Sequence, residues 1–138
     1  MSERDQFRAW QSITTRWDDN DQYGHVNNAK FYEFIDSAVN SHLIHMGALD
    51  PAESPIIGLV VESGCRYHAP IRYPEPVEVG IAVEKIGTSS VTYRAGVFVK
   101  GHAKAAATGH FAHVYVDRVT RRPTPLPDRL RDVVSALT

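Results

Sequence analysis

The residues best suited to chemistry lie together in one short polar segment, residues 17–28, where a carboxylate, a glycine, a histidine and a pair of adjacent amides come just before a predicted helix. Asp21 stands four residues before His25, and Asn27 and Asn28 follow within three more. The first N–H groups of a helix have no internal partners and carry the positive end of the helix dipole, so a helix that begins here offers donors to a developing oxyanion. A carboxylate beside such donors is suited to act as a base or a nucleophile in acyl chemistry.

The element that must position these groups is a long helix, which the sequence predicts from residue 28 to residue 46. Apolar residues recur there at steps of three and four, among them Phe31, Phe34, Ile35, Ala38, Leu43 and Met46. Asn27 or Asn28 can cap its start, and Gly47 stands where a glycine commonly ends a helix. The polar stretch before it, residues 18–24, breaks any regular period and predicts a loop.

Strand-like alternation fills most of the remaining chain. Residues 8–17 predict a first strand, with Trp17 in the core or in a pocket wall, and residues 56–116 predict four further strands joined as a meander. The short turns of the meander require antiparallel pairing. A short closing helix is predicted near Pro127, with one apolar stripe made of Leu130, Val133, Val134 and Leu137. One long helix and a sheet that must cover it predict an α+β fold with a curved sheet wrapped around the helix.

Length and charge exclude several classes of protein. The 138 residues predict one domain, 1–138, and a net charge of −1 offers neither the basic surface of a nucleic-acid binder nor a basic tail for an anionic membrane. The single cysteine, Cys65, cannot form an intrachain disulfide or by itself a thiolate metal site, and is expected in the core rather than as a nucleophile. A charged start without an apolar leader predicts a cytoplasmic protein, and the apolar runs are too short to span a bilayer.

The polar segment and the helix after it resemble one known family. The pattern Asp21-x-x-Gly24-His25-Val26-Asn27-Asn28, followed by Phe31-Tyr32-Glu33-Phe34-Ile35-Asp36, is similar to the hot-dog-fold acyl-CoA thioesterases. The similarity is closest to their 4-hydroxybenzoyl-CoA thioesterase-like branch and extends to plant acyl-ACP thioesterases. It covers nearly the whole chain, including residues 87–90 after a strand. It implies a hot-dog fold of five or so antiparallel strands around one long helix, and hydrolysis of an acyl-CoA thioester to free acid and coenzyme A.

The resemblance also implies roles for particular residues. Asp21 matches the carboxylate that attacks the thioester carbonyl or activates water, and the backbone N–H near Asn28 matches the oxyanion donor. Asp36 matches a helix carboxylate that lines the pocket or supports the site, while His25 and Asn27 contact the substrate or brace the loop. The implied catalytic set is Asp21, His25, Asn28 and Asp36, and the implied substrate-binding set is Gly24, Asn27, Tyr32, Thr88 and Ser89. No metal or redox cofactor is implied, coenzyme A being part of the substrate, and the site lies between subunits of a homodimer, often paired into a tetramer.

Other interpretations of the same residues remain open. Asp21 and His25 could serve as the acid–base pair of an enoyl-thioester dehydratase or hydratase on the same fold, or the chain could bind acyl-CoA without turnover. Asp21 could also be only a turn former and Asp36 only a solvated side chain. His42 and His45 are three residues apart on the predicted helix, but we do not predict a metal site from this pair alone. The candidates for binding the phosphates of coenzyme A are Arg66, Arg72, Lys85, Arg94, Lys100 and Lys104.

Overall fold

A computed structural model describes residues 3–138, and its central element is the long helix α1, Asn28–His45. Asn27 is the N-cap: its side-chain oxygen accepts the N–H of Ala29 at 2.9 Å. Gly47 has a φ of +72°, the left-handed conformation with which many helices end. The predicted helix is confirmed to within one residue at its end, and the choice between the two asparagines falls on Asn27 as the cap.

Five strands form one antiparallel sheet that lies against α1. They are β1 (Ala9–Ile13), β2 (Ile56–Tyr67), β3 (Val77–Ile86), β4 (Ser90–Val99) and β5 (Ala107–Asp117), arranged in the order β1-β3-β4-β5-β2. The α+β prediction of a sheet wrapped around one helix is confirmed. The predicted four-strand meander is wrong, because only β3, β4 and β5 follow one another, and β2 pairs with β5 instead of β3. The link between β2 and β3 contains three prolines, which lack the N–H groups that a hairpin ladder needs.

The first strand is shorter than predicted. It ends at Ile13, and Trp17 starts a short 3-10 helix, Trp17–Asp19, instead of extending the strand. The Trp17 side chain is 83% exposed and contacts the ring of Tyr73 edge-on, so its expected place in the core or a pocket wall is wrong for the single chain. The strand ends early because residues 17–19 turn to place the carboxylate of Asp19 in the interior, where it is fully buried.

The apolar core lies between the sheet and α1. It includes Phe31, Phe34, Ile35, Ala38, Val39 and Leu43 from the helix and the inward residues of β3, β4 and β5. The closing helix α2, Asp128–Ser135, buries Leu130, Val133 and Val134 of the predicted stripe against this core, and Leu137 packs there just after the helix ends. Neither α1 nor α2 combines the length and apolar character that crossing a membrane would require, and no other helix in residues 3–138 does.

Candidate active site

The loop before α1 is a miniature hairpin that fixes the Asp21 carboxylate. Asn20 and Val26 form an isolated antiparallel bridge, and the N–H of Asp21 donates to the carbonyl of His25 at 2.9 Å. Gly24 closes the turn by donating to the carbonyl of Asp21 at 3.1 Å, with a φ of +84° that a side chain would strain. Asp21 Oδ1 accepts the N–H of Tyr23 at 2.8 Å, and Oδ2 has no partner within residues 3–138. One carboxylate oxygen therefore orients the group and the other is open to a ligand.

A second carboxylate, that of Asp19, anchors this loop to the fold. Its side chain is fully buried and accepts the backbone N–H of Arg16 at 2.8 Å and the guanidinium of Arg16 at 3.2 Å. The ammonium of Lys30, in the first turn of α1, lies 3.8 Å from the same carboxylate. The carbonyl of Asp19 also accepts the N–H of Asn27 at 2.8 Å. Asp19 thus joins both ends of the loop to the start of the helix.

The N–H groups at the start of α1 show which donor is available to a ligand. The N–H of Val26 bonds the carbonyl of Ile71, and that of Asn27 bonds the carbonyl of Asp19. The N–H groups of residues 29 and 30 are both accepted by the Asn27 cap, through its side chain and its carbonyl. Of these five consecutive groups, only the N–H of Asn28 has no acceptor within the described residues. A single backbone donor is thus left open at the positive end of the helix.

Asp21 and Asn28 line the same groove. This groove has a volume of about 430 Å³ and is also lined by Tyr23, His25, Val26, Phe31, Tyr67, His68, Ala69 and Pro70. The structure therefore brings together three of the four residues in the predicted catalytic set, Asp21, His25 and Asn28. The groove is thus bordered by a residue with an unpartnered carboxylate oxygen and by a residue with an unpartnered N–H, the two kinds of group that acyl transfer requires.

Sequence reasoning missed the wall opposite the loop. Tyr67 ends β2, and its hydroxyl donates to the carbonyl of Asn28 at 3.1 Å, while its ring meets that of Phe31 edge-on. Burial is the main cause that raises the pKa of Tyr67 to about 12. His68 follows it along the groove. Two aromatic residues at a strand end carry no spacing signal, because their approach to α1 depends on how β2 lies in the sheet.

The ring of His25 is held by an arginine. Its Nε2 lies 3.1 Å from a terminal nitrogen of Arg72. A guanidinium has only donors, so Nε2 accepts in this contact. That nitrogen is therefore occupied, which disfavours a dehydratase in which His25 Nε2 takes a proton. Arg72, one of the six candidates for binding the phosphates of coenzyme A, is thus engaged with His25.

The remaining predicted site residues lie outside this groove. Tyr32 and Asp36 line a second cavity of about 290 Å³ with Glu33, Val60, Ser63 and Phe111. Asp36 is exposed and accepts the side-chain amide of Asn40 at 3.2 Å. Gly24 forms the loop turn and Asn27 caps the helix, and neither borders the groove in the described chain. Thr88 and Ser89 form the β3–β4 turn, where their carbonyls accept the N–H groups of Leu126 and Tyr115. Their roles in substrate binding stay predictions.

Cys65 and Arg94 have their own structural surroundings. The Cys65 thiol is half-buried against the core, and burial raises its pKa, while hydrogen bonds to Tyr32 and Tyr67 oppose that shift. It therefore has the environment of a packed thiol rather than of an activated nucleophile. Arg94 donates to the carbonyl of Gln6 and stacks over the ring of Phe7. Within residues 3–138 no three His, Cys, Asp or Glu side chains are grouped closely enough to hold a metal ion.

Comparison with known proteins identifies the family. The family model of the thioesterase-like superfamily matches residues 15–134, so the chain belongs to that superfamily. Its fold is the hot-dog fold, as the resemblance implied, and the class that this fold and site define is that of the thioester hydrolases. A comparison with curated proteins found no match.

Solved structures show the same architecture. The PA5185 protein from Pseudomonas aeruginosa strain PAO1 is 47% identical, with a TM-score of 0.96 over 98% of this chain and 94% of that one. The PA2801 protein from Pseudomonas aeruginosa is 27% identical, with a TM-score of 0.86 over 93% and 98% of the two chains. Slr0204, a 1,4-dihydroxy-2-naphthoyl-CoA thioesterase from Synechocystis, is 16% identical, with a TM-score of 0.82 over 91% and 94%, and shows the fold alone.

Proposed function

We propose that this protein hydrolyses an acyl-CoA thioester to the free acid and coenzyme A. The observation that carries the proposal is that Asp21, which has an open carboxylate oxygen, and Asn28, which has an open N–H, line one groove. A thioester carbonyl seated between them would direct its oxygen to the N–H and its carbon toward the carboxylate. Family membership supports the class of reaction, and the groove supports the assignment of residues.

In this mechanism the helix start stabilises the charge that develops on the carbonyl oxygen. Asp21 either attacks the carbonyl carbon, forming an acyl-enzyme anhydride that water then cleaves, or removes a proton from a water that attacks directly. In both routes one water is consumed, the C–S bond breaks, and the thiolate of coenzyme A leaves and gains a proton. The activated thioester needs no metal or redox cofactor in this proposal.

The cavity beside α1 is the proposed place for part of the acyl group. Tyr32 and Phe111 supply an aromatic wall, their rings 6.2 Å apart, and Asp36 supplies a carboxylate at the rim. This assigns Asp36 and Tyr32 to acyl recognition rather than to bond cleavage. The proposal also retains the homodimer that the family resemblance implied. It retains a cytoplasmic location as well, since the lone cysteine requires no oxidising compartment.

The test is thiol release from a panel of aliphatic and aromatic acyl-CoA thioesters by the wild type and by Asp21→Asn. The asparagine keeps an oxygen that can accept the N–H of Tyr23, so the loop is preserved while the charge is lost. We expect kcat to fall by about 10²–10⁴, the usual scale for loss of a general base. Asp18→Asn is the matched control, because Asp18 is exposed one turn earlier and lies outside the groove.

The outcomes separate the alternatives. Full turnover in Asp21→Asn would reject the assigned carboxylate. Hydration of an enoyl-CoA without thiol release would establish the dehydratase alternative. Coenzyme A binding with no turnover of any thioester in the panel would establish the binding module.

A further inference from the structure

One histidine is buried in the apolar core beside α1. His113 alternates along β5 with Phe111 and Tyr115, which belong to that core, and it is only 3% exposed. Its Nε2 has no hydrogen-bond partner within residues 3–138. A buried polar atom without a partner is costly, so its presence in a folded protein calls for an explanation. His113 also lies outside the groove that Asp21 lines.

Two tyrosines and a glycine hold the His113 ring in place. The Tyr115 hydroxyl lies 3.3 Å from His113 Nδ1 and 2.7 Å from the hydroxyl of Tyr93. Gly58, which pairs with Tyr115 in the ladder, provides the space for these rings. A Cβ at Gly58 would lie 3.2 Å from His113 Nδ1 and 2.9 Å from the Tyr115 ring. The packing around His113 is therefore close and specific to this polar side chain.

These hydrogen bonds indicate which ring nitrogen carries the proton. If Tyr93 donates to Tyr115 and Tyr115 donates to Nδ1 of His113, both phenol protons are bonded and the ring proton is on Nε2. The opposite direction would leave the Tyr93 proton without an acceptor in the described residues, in addition to Nε2. The first arrangement leaves fewer buried groups unpaired, so Nε2–H is a donor. Burial lowers the pKa of His113 to about 4, so the ring is neutral at pH 7 and carries this one proton.

His113 lies between two cavities beside α1. On one side, Phe111 and Val60 line the cavity of about 290 Å³ that is proposed for part of the acyl group. Phe111 precedes His113 on the same face of β5, with the ring centroids 6.5 Å apart, and Val60 is the partner of His113 in the ladder. On the other side, Tyr115 and Leu43 line a cavity of about 140 Å³. His113 is therefore the direct neighbour of two residues that border the proposed acyl space.

The distance of His113 from the groove sets the length of acyl group that could reach it. Tyr67, in the groove wall, is paired with Ala107, and His113 lies six residues further along β5. At ~3.3 Å per residue the separation is about 20 Å. An aromatic ring is far shorter than this, whereas an extended aliphatic chain can span it.

We propose that His113 binds a hydroxyl or oxo oxygen near the far end of a long aliphatic acyl group, through a hydrogen bond from Nε2–H. The chain reaches Nε2 past Val60, whose side chain is 47% exposed. A neutral donor in the apolar core suits a neutral acceptor, because a carboxylate there would be buried without a compensating charge. A saturated chain fills the same space but leaves Nε2 unpaired. This inference rests on the proposed function and deepens it by naming the substrate class, coenzyme A thioesters of long-chain acids oxygenated at the end opposite the thioester.

The first test compares saturated acyl-CoA thioesters with their ω-hydroxy counterparts over a series of chain lengths. At the length that brings the oxygen to His113, we expect kcat/KM of the wild type to be about ten- to a hundred-fold higher for the ω-hydroxy chain. This is the scale of pairing a buried donor that is otherwise unpaired. The preference should decrease at shorter and at longer lengths. Equal kcat/KM for the two chains at every length overturns the proposal, and is the result expected if Nε2 binds only a water molecule.

Variants at position 113 test whether this histidine binds the oxygen. His113→Leu removes the donor, so it should abolish the preference for the ω-hydroxy chain while turnover of the saturated chain is kept. His113→Gln keeps an N–H near the position of Nε2 and should retain a preference. The matched control is His110→Gln, at a histidine on the opposite face of β5, and it should leave the preference unchanged. A folded His113→Leu that loses activity on both chains by the same factor shows a merely structural role and overturns the proposal.

Two further measurements do not depend on the folding of His113→Leu. Tyr115→Phe removes only the hydroxyl that donates to Nδ1, so the ring proton can move to Nδ1 and the preference should decrease. Proton–nitrogen correlation NMR of the wild type reports the tautomer of His113 directly. We expect the proton on Nε2, and a proton on Nδ1 overturns the proposal.

Failure of the proposed function has a different signature. Binding of the free long-chain acid and of its ω-hydroxy counterpart is measured by calorimetry, which requires no turnover. If no thioester releases thiol but the wild type binds the ω-hydroxy acid more tightly, and His113→Leu does not, hydrolysis is refuted and the oxygen subsite is supported. If thiol is released but the two acids bind the wild type equally, the subsite is refuted and hydrolysis is retained.

Discussion

Removal of a single N–H group tests the proposed oxyanion site. The substitution is Asn28→Pro, since proline has no backbone N–H. Proline is well accommodated at the first position of a helix, and Asn28 is that residue in α1. A proline also requires an extended residue before it, and Asn27 already has φ −60° and ψ 140°. The variant therefore deletes one donor while the local backbone stays as it is.

The expected loss of kcat in Asn28→Pro follows from the hydrogen bonds around the start of α1. The N–H groups on either side of position 28 are satisfied by Asp19 and by the Asn27 cap, so they cannot replace the lost donor without breaking those bonds. Loss of one oxyanion donor lowers kcat by about 10²–10³. The free energy of unfolding should change little, because the deleted N–H has no acceptor within residues 3–138.

Steady-state thiol release, with unfolding followed by circular dichroism, measures both effects. Asn28→Ala is the control: it removes the same exposed side chain but keeps the N–H, and we expect kcat close to that of the wild type. If Asn28→Pro is folded and retains the kcat of Asn28→Ala, the helix start does not stabilise the transition state. If kcat falls equally in both variants, the side chain of Asn28, and not its N–H, stabilises the transition state.

Three further predictions concern the supports of the site. Gly24→Ala and Gly101→Ala each place an alanine at a φ near +83° in open space, so both should lose about 1–2 kcal/mol of stability, but only Gly24→Ala should lower kcat. Asp19→Ala should lower the free energy of unfolding by about 2–3 kcal/mol and reduce kcat, because buried donors lose their acceptor and the loop loses its anchor. Burial lowers the pKa of His113 to about 4 from 6.5, so the unfolded chain binds more protons between those values. Stability should therefore fall by up to about 3 kcal/mol as pH drops through that window, and chemical denaturation should show a flatter profile for His113→Leu than for the control His102→Gln, at an exposed histidine.

The parts of the molecule that the sequence predicts well are those fixed by neighbours along the chain. The bounds of α1 follow from an apolar period, a capping asparagine and Gly47, all of which act within one helical turn. The hairpin from Asn20 to Val26 likewise depends on an aspartate and a glycine at fixed turn positions. For this reason the juxtaposition of Asp21 with the start of the helix could be predicted.

The position of β2 in the sheet could not be predicted in the same way. Its alternation fits a place beside β3 or beside β5 equally well, because both partners present an apolar face and a free edge. The residues that depend on that placement, Tyr67 and His68, were missed for the same reason. The place of Trp17 was predicted wrongly because the alternating pattern of residues 8–17 continues past the end of β1. The chain turns there so that the Asp19 side chain can be buried.

The same distinction, between groups that are close in sequence and groups brought together by the order of strands, applies to the candidate site. The groups proposed to break the thioester bond lie within eight residues, 21–28, and all of them come from one loop and the start of α1. The groups that would recognise the rest of the substrate are set by the order of strands, and β2 carries its two ends about 36 Å apart. Tyr67, at the end of β2 that borders the groove, and Ile56, at the other end, therefore cannot belong to one compact site within a single chain.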